Sequence, residues 1–299
     1  MSTTGPERLR AAQPSALPKR SAMLPIDHWP LRDRKNIIGV FTDVDDTLTT
    51  DGAITADALA ALGRLKAAGL HLIAITGRPV GWSEPFASSW PVDAIVAENG
   101  SVALVRSSAH PTDGTVPVGL RRLYQQNATV REANFQRMQA VAQRVLHEVP
   151  GTTMAQDSAG RETDIAIDHS EFVHLPATDI ARVVRIMQAE GMAATVSSIH
   201  INAWFGGHNK LEGARWIVQE LFARDLDRER ASWVYVGDST NDQLMFESFA
   251  NSIGVANIRR FLPELTHLPH FVTRSERGAG FCEMADRLLQ GRAPARAPT

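Results

Sequence analysis

Runs of apolar residues recur along the chain, and several of them end abruptly in a polar cluster. The first, IIGVF at 37–41, is β-branched or aromatic around one glycine, which favours a short buried strand over a helix. It ends on Asp43, Asp45 and Asp46. Leu59, Leu62 and Leu65 then mark the buried face of a helix, with Thr55 as its N-cap and Asp57 in the first turn, where a negative charge complements the dipole. Gly69 is a natural stop. Residues 70–75, LHLIAI, form a second strand-like run that ends in Thr76-Gly77-Arg78-Pro79. Strand, helix, strand implies a parallel pair with a right-handed crossover. A third short strand, 94–97, leads into Glu98-Asn99-Gly100, and 101–106 continues extended. A fourth, WVYV at 233–236, ends in Gly237-Asp238-Ser239-Thr240-Asn241-Asp242, with Leu244, Met245 and Phe249 marking the helix behind it.

From about residue 111 the pattern changes. Residues 130–149 form one amphipathic helix through Phe135, Met138, Val141, Val145 and Leu146. Strand-like segments at 152–156 and 163–168 follow, then a helix at 177–189 and strands at 192–196 and 199–204. Helix, strand, strand, twice over, predicts a small α+β domain with an antiparallel sheet and helices on one face. It interrupts an α/β protein, because a helix carrying Leu211, Ala214, Val218 and Leu221 then returns the chain to the parallel pattern. The expected division is a core over 36–112 and 206–291, an insert over 113–205, a disordered leader over 1–35 and a flexible tail over 292–299.

Composition narrows the classes. Hydrophobic residues at 43% and charged residues at 21% are enough for a real core. A net charge of −2 gives no field that favours nucleic acid or an anionic membrane. The single cysteine, Cys282, forms no intramolecular disulfide, and the longest apolar runs fall far short of a membrane span. Residues 1–35 are rich in Pro, Ser, Ala and Arg and carry no apolar signal core. A soluble, cytoplasmic protein is the expectation.

The polar clusters carry the chemistry. Side chains alternate along a strand, so Asp43 and Asp45 leave its end toward the same side. Carboxylates held that close repel unless a cation or a shared proton offsets them, and a hard cation such as Mg²⁺ suits such oxygens. A solvated acidic turn is the competing reading. Ligands of open parallel sheets bind beyond the carboxyl ends of the strands, which places the Thr76 hydroxyl and the Gly77 N–H on the same edge. The same four residues also read as a plain turn. Asn99 belongs either to a hairpin turn or to a ligand site. Lys210 opens a helix behind Asn209 as N-cap, where positive charge is unfavourable unless an anion such as phosphate binds there; the alternative is an exposed lysine. In the insert, Arg161, Glu162, Asp164, Ser197, Ser198, His200 and Asn202 form a polar cluster, and His200 and Asn202 share a strand face that more often meets solvent.

FTDVDDTLT, LIAITGR, Lys210 and VYVGDSTND together resemble the four motifs of the haloacid dehalogenase-like (HAD) hydrolase superfamily. The insert resembles the cap of its type IIB subgroup, which includes sucrose-phosphate phosphatase, mannosyl-3-phosphoglycerate phosphatase, eukaryotic phosphomannomutase and Cof-type sugar phosphatases. That resemblance implies a Rossmann-like core with helices on both faces and an αββαββ cap. It also implies a Mg²⁺-dependent phosphatase that acts through an aspartyl-phosphate on a phosphorylated sugar, polyol or glycosyl-glycerate. Asp43 would be the nucleophile and Asp45 the general acid and base. Thr76 and Lys210 would hold the phosphoryl oxygens. Mg²⁺ would sit among Asp43, the Asp45 carbonyl and Asp238, with Asp242 nearby. Gly77, Arg78, Asn99 and Asn241 would meet the substrate, together with Ser198, His200 and Asn202 of the cap. A sugar phosphomutase would share every one of these motifs. A receiver-like signalling module or a non-catalytic binding module is the alternative of another class. The expected partner is a small phosphorylated molecule, with neither nucleic acid nor membrane, and the expected state a monomer or small homo-oligomer.

Overall fold

The computed structural model describes residues 22–106 and 119–292. The core begins with β1 (Leu24–Pro25), α1 (Leu31–Lys35) and β2 (Gly39–Thr42), followed by a small hairpin of β3 (Thr49–Thr50) and β4 (Ala53–Ile54). Next come α2 (Ala56–Ala67), β5 (His71–Ile75), α3 (Val80–Ser89), β6 (Ala94–Ala97), β7 (Val102–Arg106) and β8 (Leu120–Tyr124). The insert holds α4 (Ala128–Glu148), β9 (Thr153–Met154), β10 (Ile165–Asp168), α5 (Ala177–Ala189), β11 (Ala193–Val196) and β12 (His200–Trp204). The core resumes with α6 (Lys210–Phe222), α7 (Leu226–Glu229), β13 (Trp233–Gly237), α8 (Gln243–Ser248), β14 (Asn251–Gly254), β15 (Phe271–Val272) and α9 (Arg277–Leu289).

The nine core strands lie in the order β1-β15-β14-β13-β2-β5-β6-β7-β8. All neighbours are parallel except β7 and β8, which close one edge antiparallel. The two-residue period of a strand divides the apolar runs between two helical layers. Val40, Leu72, Val234 and Val236 pack with α2 and α9, whereas Phe41, Ile73, Trp233 and Tyr235 pack with α6 and α8. The glycine in IIGVF has a steric reason: a Cβ on Gly39 would lie 2.2 Å from the Trp233 ring, which stacks on Phe41 at 4.6 Å.

The insert has the expected αββαββ order, with its four antiparallel strands arranged β11-β12-β10-β9. Met138, Val141 and Val145 of α4 and Val183 and Met187 of α5 cover one face of that sheet. Among the described residues, no helix is long and apolar enough to cross a membrane.

Several boundaries differ from the sequence reading. Residues 22–35 are built into the core rather than disordered: β1 pairs with β15, Ile26 and Trp29 are buried, and the Trp29 indole donates to Asn251 Oδ1 at 3.0 Å. Residues 1–21 of that leader lie outside the described residues. The insert starts at α4, not at 113, because β8 pairs with β7 of the core sheet; residues 113–118 are again outside the described set. In the expected tail, Arg292 donates to the Ile37 carbonyl at 2.7 Å, and 293–299 lie outside. Leu59, Phe135 and Leu244 stay exposed. On α2 the buried stripe is Ala58, Ala61, Leu62 and Leu65, the i, i+3, i+4, i+7 set that leaves Leu59 out of phase. Phe135 lies a turn before the packed part of α4.

Candidate active site

Strands β13, β2 and β5 are consecutive in the sheet, so the loops that leave their carboxyl ends converge. Asp43 follows β2, and its N–H donates to the Val236 carbonyl at 2.9 Å. Thr76 follows β5 and is fully buried; its hydroxyl oxygen accepts the Arg78 N–H at 3.0 Å. Asp238 follows β13. Lys210 opens α6, and Asn209 caps that helix by accepting the N–H groups of Leu211 and Glu212 at 2.9 and 3.0 Å.

What brings α6 close is the turn at Glu98-Asn99-Gly100, where all three residues have positive φ. The Gly100 backbone lies against α6 at Gly213, where a Cβ would come within 2.6 Å of the Gly100 Cα. Gly213→Ala should therefore push α6 off the turn, costing about 1–3 kcal/mol by overpacking. It should also lower turnover by shifting Lys210. Chemical denaturation and an activity assay on the same preparation check both effects.

Lys210 is buried rather than exposed. Its ammonium donates to Asp43 Oδ1 and to Asp242 Oδ1, each at 2.6 Å. Burial opposes the charge, but Asp242 and Asp43 outweigh it and hold the group firmly protonated. Asp242 is saturated. Its Oδ1 accepts from Lys210 and the Tyr235 hydroxyl, and its Oδ2 from the N–H groups of Asp238 and Ser239 at 2.9 and 3.1 Å. Tyr235 was not singled out in the sequence; the available signal is that a buried tyrosine needs a partner for its hydroxyl.

Asp43, Asp238 and Asp242 each offer an oxygen within 4.8 Å of the others. Burial pushes Asp43 up to about 7 against the pull of Lys210, and it pushes Asp238 well above the usual carboxylate range, with Asp242 and Asp43 adding to the effect. Asp238 Oδ2 accepts from Asn257 at 3.1 Å, whereas its Oδ1 is buried with no hydrogen-bond partner. An unpaired buried carboxylate oxygen facing other carboxylates fits a hard divalent cation. The donor arithmetic favours Asp43 and Asp238 as direct ligands over Asp242, whose four lone-pair positions are filled.

Arg78 is a tie rather than an open substrate contact. Its Nε and Nη2 donate to Asp45 at 3.0–3.1 Å, Nη1 donates to Asp157 at 3.0 Å and Nη2 to Glu171 at 2.7 Å. The Asp45 carboxylate is thus committed to Arg78. Glu171 in turn accepts from His200 Nε2 at 2.7 Å. Asn99 and Asn202 both donate to Asp164 Oδ2, at 3.0 and 3.3 Å, and Asn202 also reaches the Gly77 carbonyl at 3.3 Å. His200 and Asn202 are buried, not solvated, because the insert sits on the core. Further ties are Arg161 to the Gly77 carbonyl at 2.9 Å and the Thr240 hydroxyl to the Val196 carbonyl at 2.7 Å. Glu98, also missed from sequence, anchors the seam by accepting the N–H groups of Val80 and Glu162 at 3.0 and 3.1 Å.

A closed pocket of about 10 Å³ brings together Asp43, Asp45, Gly77 and Arg78 with Ser198, His200, Asn202 and Asn241. It adjoins an open cleft of about 760 Å³, and Asp45, Arg78, Ser198 and Ile199 line both. Another depression, of about 650 Å³, lies at the amino ends of the strands around His28, Asn251 and His270. It is far from the converging carboxylates, and the chemistry marks the smaller pocket.

Residues 40–112 match the family of haloacid dehalogenase-like hydrolases. Over that stretch the chain is similar to these hydrolases, and the insert that follows has the αββαββ order. Among solved structures it is similar to the C-terminal domain of trehalose-6-phosphate phosphatase from C. albicans, at 11% identity and a TM-score of 0.62, covering 91% of this chain and 99% of that one. It is also similar to the sucrose-phosphatase of Synechocystis sp., solved with sucrose and phosphate (16%, TM-score 0.57, 84% and 97%). A Thermoplasma acidophilum protein aligns at 16% with a TM-score of 0.61, over 84% and 98%. No curated protein matches the chain.

Proposed function

We propose that this protein is a Mg²⁺-dependent phosphatase that hydrolyses a small phosphorylated carbohydrate through an aspartyl-phosphate on Asp43. The observation that carries this reading is the buried Asp43–Lys210–Asp242 bridge beside the unpaired oxygen of Asp238. Two similar structures are named as sugar phosphatases, which supports the substrate class. Asp43 and Asp238 would hold the cation, which when bound lets an anionic nucleophile approach an anionic phosphate.

In this reading an Asp43 oxygen attacks phosphorus and the bond to the leaving oxygen breaks. Asp45, at the boundary between pocket and cleft, gives that oxygen its proton once it is protonated and turned off Arg78, which stays paired with Asp157 and Glu171. Water then attacks the phosphorus of the acyl phosphate and gives its proton to Asp45, which frees phosphate and restores Asp43. Lys210 stabilises the charge on the transferring oxygens, and Thr76 lies at the same sheet edge to hold them.

Phosphate release from a panel of sugar, polyol and glycerate phosphates tests the reading. Turnover is expected with Mg²⁺ and should fall to background with chelator. A product that is an isomeric phosphosugar, with no free phosphate, would favour the mutase instead.

A further inference from the structure

The leaving group must pass from the closed pocket to the cleft beside Asp45, Arg78, Ser198 and Ile199, the residues common to both. Glu171 lines the cleft at this passage. What a ligand meets there is set by how Arg78 is used. A guanidinium has five N–H donors. Here Nε donates to Asp45, Nη1 to Asp157 and Glu171, and Nη2 to Asp45 and Glu171. None is left for an anion. The Arg78 side chain is only 7% exposed, while Asp45 and Glu171 keep 17% and 21%. Carboxylate oxygens, not the guanidinium, therefore face the passage.

The charge balance agrees. Asp45, Asp157 and Glu171 surround one guanidinium, so the group is net negative whether or not His200 carries a proton. Arg161, which also holds Asp157, is spent on Asp164. Arg260 and Arg277 reach the cleft from the core wall, where Asp46 and Asp51 hold them. Arg78 and His200 keep the Glu171 carboxyl down to about 2 against its burial, so it is ionised at any working pH. Its Oε1 accepts one N–H and keeps a lone pair.

We propose that Glu171 selects the leaving group, admitting neutral polyhydroxyl and ammonium-bearing alcohols and rejecting those with a carboxylate or second phosphate near the scissile oxygen. A hydroxyl or ammonium donates to the open position on Oε1. An anion there meets the Asp45 and Glu171 charges with no Arg78 donor left for it, and such juxtapositions are strongly unfavourable. Of the substrates considered above, sugar and polyol phosphates fit and phosphoglycerates do not. This rests on the phosphatase reading.

The test compares kcat/KM for glucose 6-phosphate, glucosamine 6-phosphate, 3-phosphoglycerate and p-nitrophenyl phosphate, in wild type and Glu171→Gln. Wild type should favour the two sugars over 3-phosphoglycerate by at least about 30-fold. In Glu171→Gln, KM for glucosamine 6-phosphate should rise about tenfold and KM for 3-phosphoglycerate should fall by a similar factor, a change of about 1.4 kcal/mol each. Wild-type turnover of 3-phosphoglycerate equal to that of the sugars overturns the proposal, even if the variant does not fold. So does a Glu171→Gln effect equal on all four substrates, which would make Glu171 merely a tie for the cap. Hydrolysis of p-nitrophenyl phosphate without discrimination refutes this inference alone. Failure to hydrolyse any of the four refutes the phosphatase reading with it.

Discussion

Asp43→Asn is expected to reduce phosphate release by at least about 10⁴-fold while the protein stays folded. The substitution is isosteric and removes the one carboxylate among the described residues that has both a buried ammonium partner and a place in the closed pocket. An amide oxygen still accepts a hydrogen bond from Lys210, but it does not attack phosphorus. Lys210 also keeps Asp242 at 2.6 Å, so its charge remains paired. Removing the Asp43 charge relieves repulsion on Asp238, which compensates part of the lost ion pair. Stability should therefore stay within about 1 kcal/mol of wild type by chemical denaturation, as for a neighbouring charge change with its partner still paired. Phosphate release that survived in the variant would remove Asp43 from the role of nucleophile. A large loss of stability would mean that the Asp43–Lys210 contact, rather than Lys210–Asp242, holds the strand ends together.

The chemistry of the core was legible because it sits at strand ends. A run of β-branched residues that ends on Asp43, or on Asp238, identifies both the strand and the edge where its side chains emerge, and the βαβ rule places Thr76 beside them. Lys210 was legible for the opposite reason, as a charge on the wrong end of a helix. Residues whose roles depend on how the insert docks were not legible. Glu171 and Asp157 reach Arg78 across 93 and 79 residues, and no local spacing relates them. His200 and Asn202 share a strand face that more often meets solvent, and only the seating of the insert, with Asn202 on the Gly77 carbonyl and His200 on Glu171, buries them. Tyr235 looked like core because it is core, with one oxygen turned toward Asp242. The segment around Ile26 and Trp29 carries too few apolar residues for a periodic signal, yet one buried tryptophan suffices to anchor it. The expected cap boundary also failed for a topological reason. A helix followed by strands says nothing about which sheet an earlier strand joins, and β8 joins the core.

Lys210→Met should be the most damaging substitution for stability. The ammonium is 4% exposed and is shared by Asp43 and Asp242, with side chains 7% and 0% exposed, and Asp238 lies within the same cluster. Removing one partner of a buried pair leaves the other charges without compensation, at a cost of about 3–5 kcal/mol. Tyr235 and two backbone N–H groups still hold Asp242, so the loss falls chiefly on Asp43. Lys210→Arg should not restore the wild type, because a planar guanidinium replaces a compact point charge in a buried cluster. Denaturation in chelator and again with Mg²⁺ tests the carboxylate cluster independently of catalysis. A cation bound by Asp43 and Asp238 supplies positive charge where the ammonium was, so Mg²⁺ should recover more stability in Lys210→Met than it adds to wild type. Equal stability of the variant and wild type in chelator would mean that Lys210 does not hold these charges together. A variant destabilised as expected but indifferent to Mg²⁺ would keep the ion pair and remove the cation from the site.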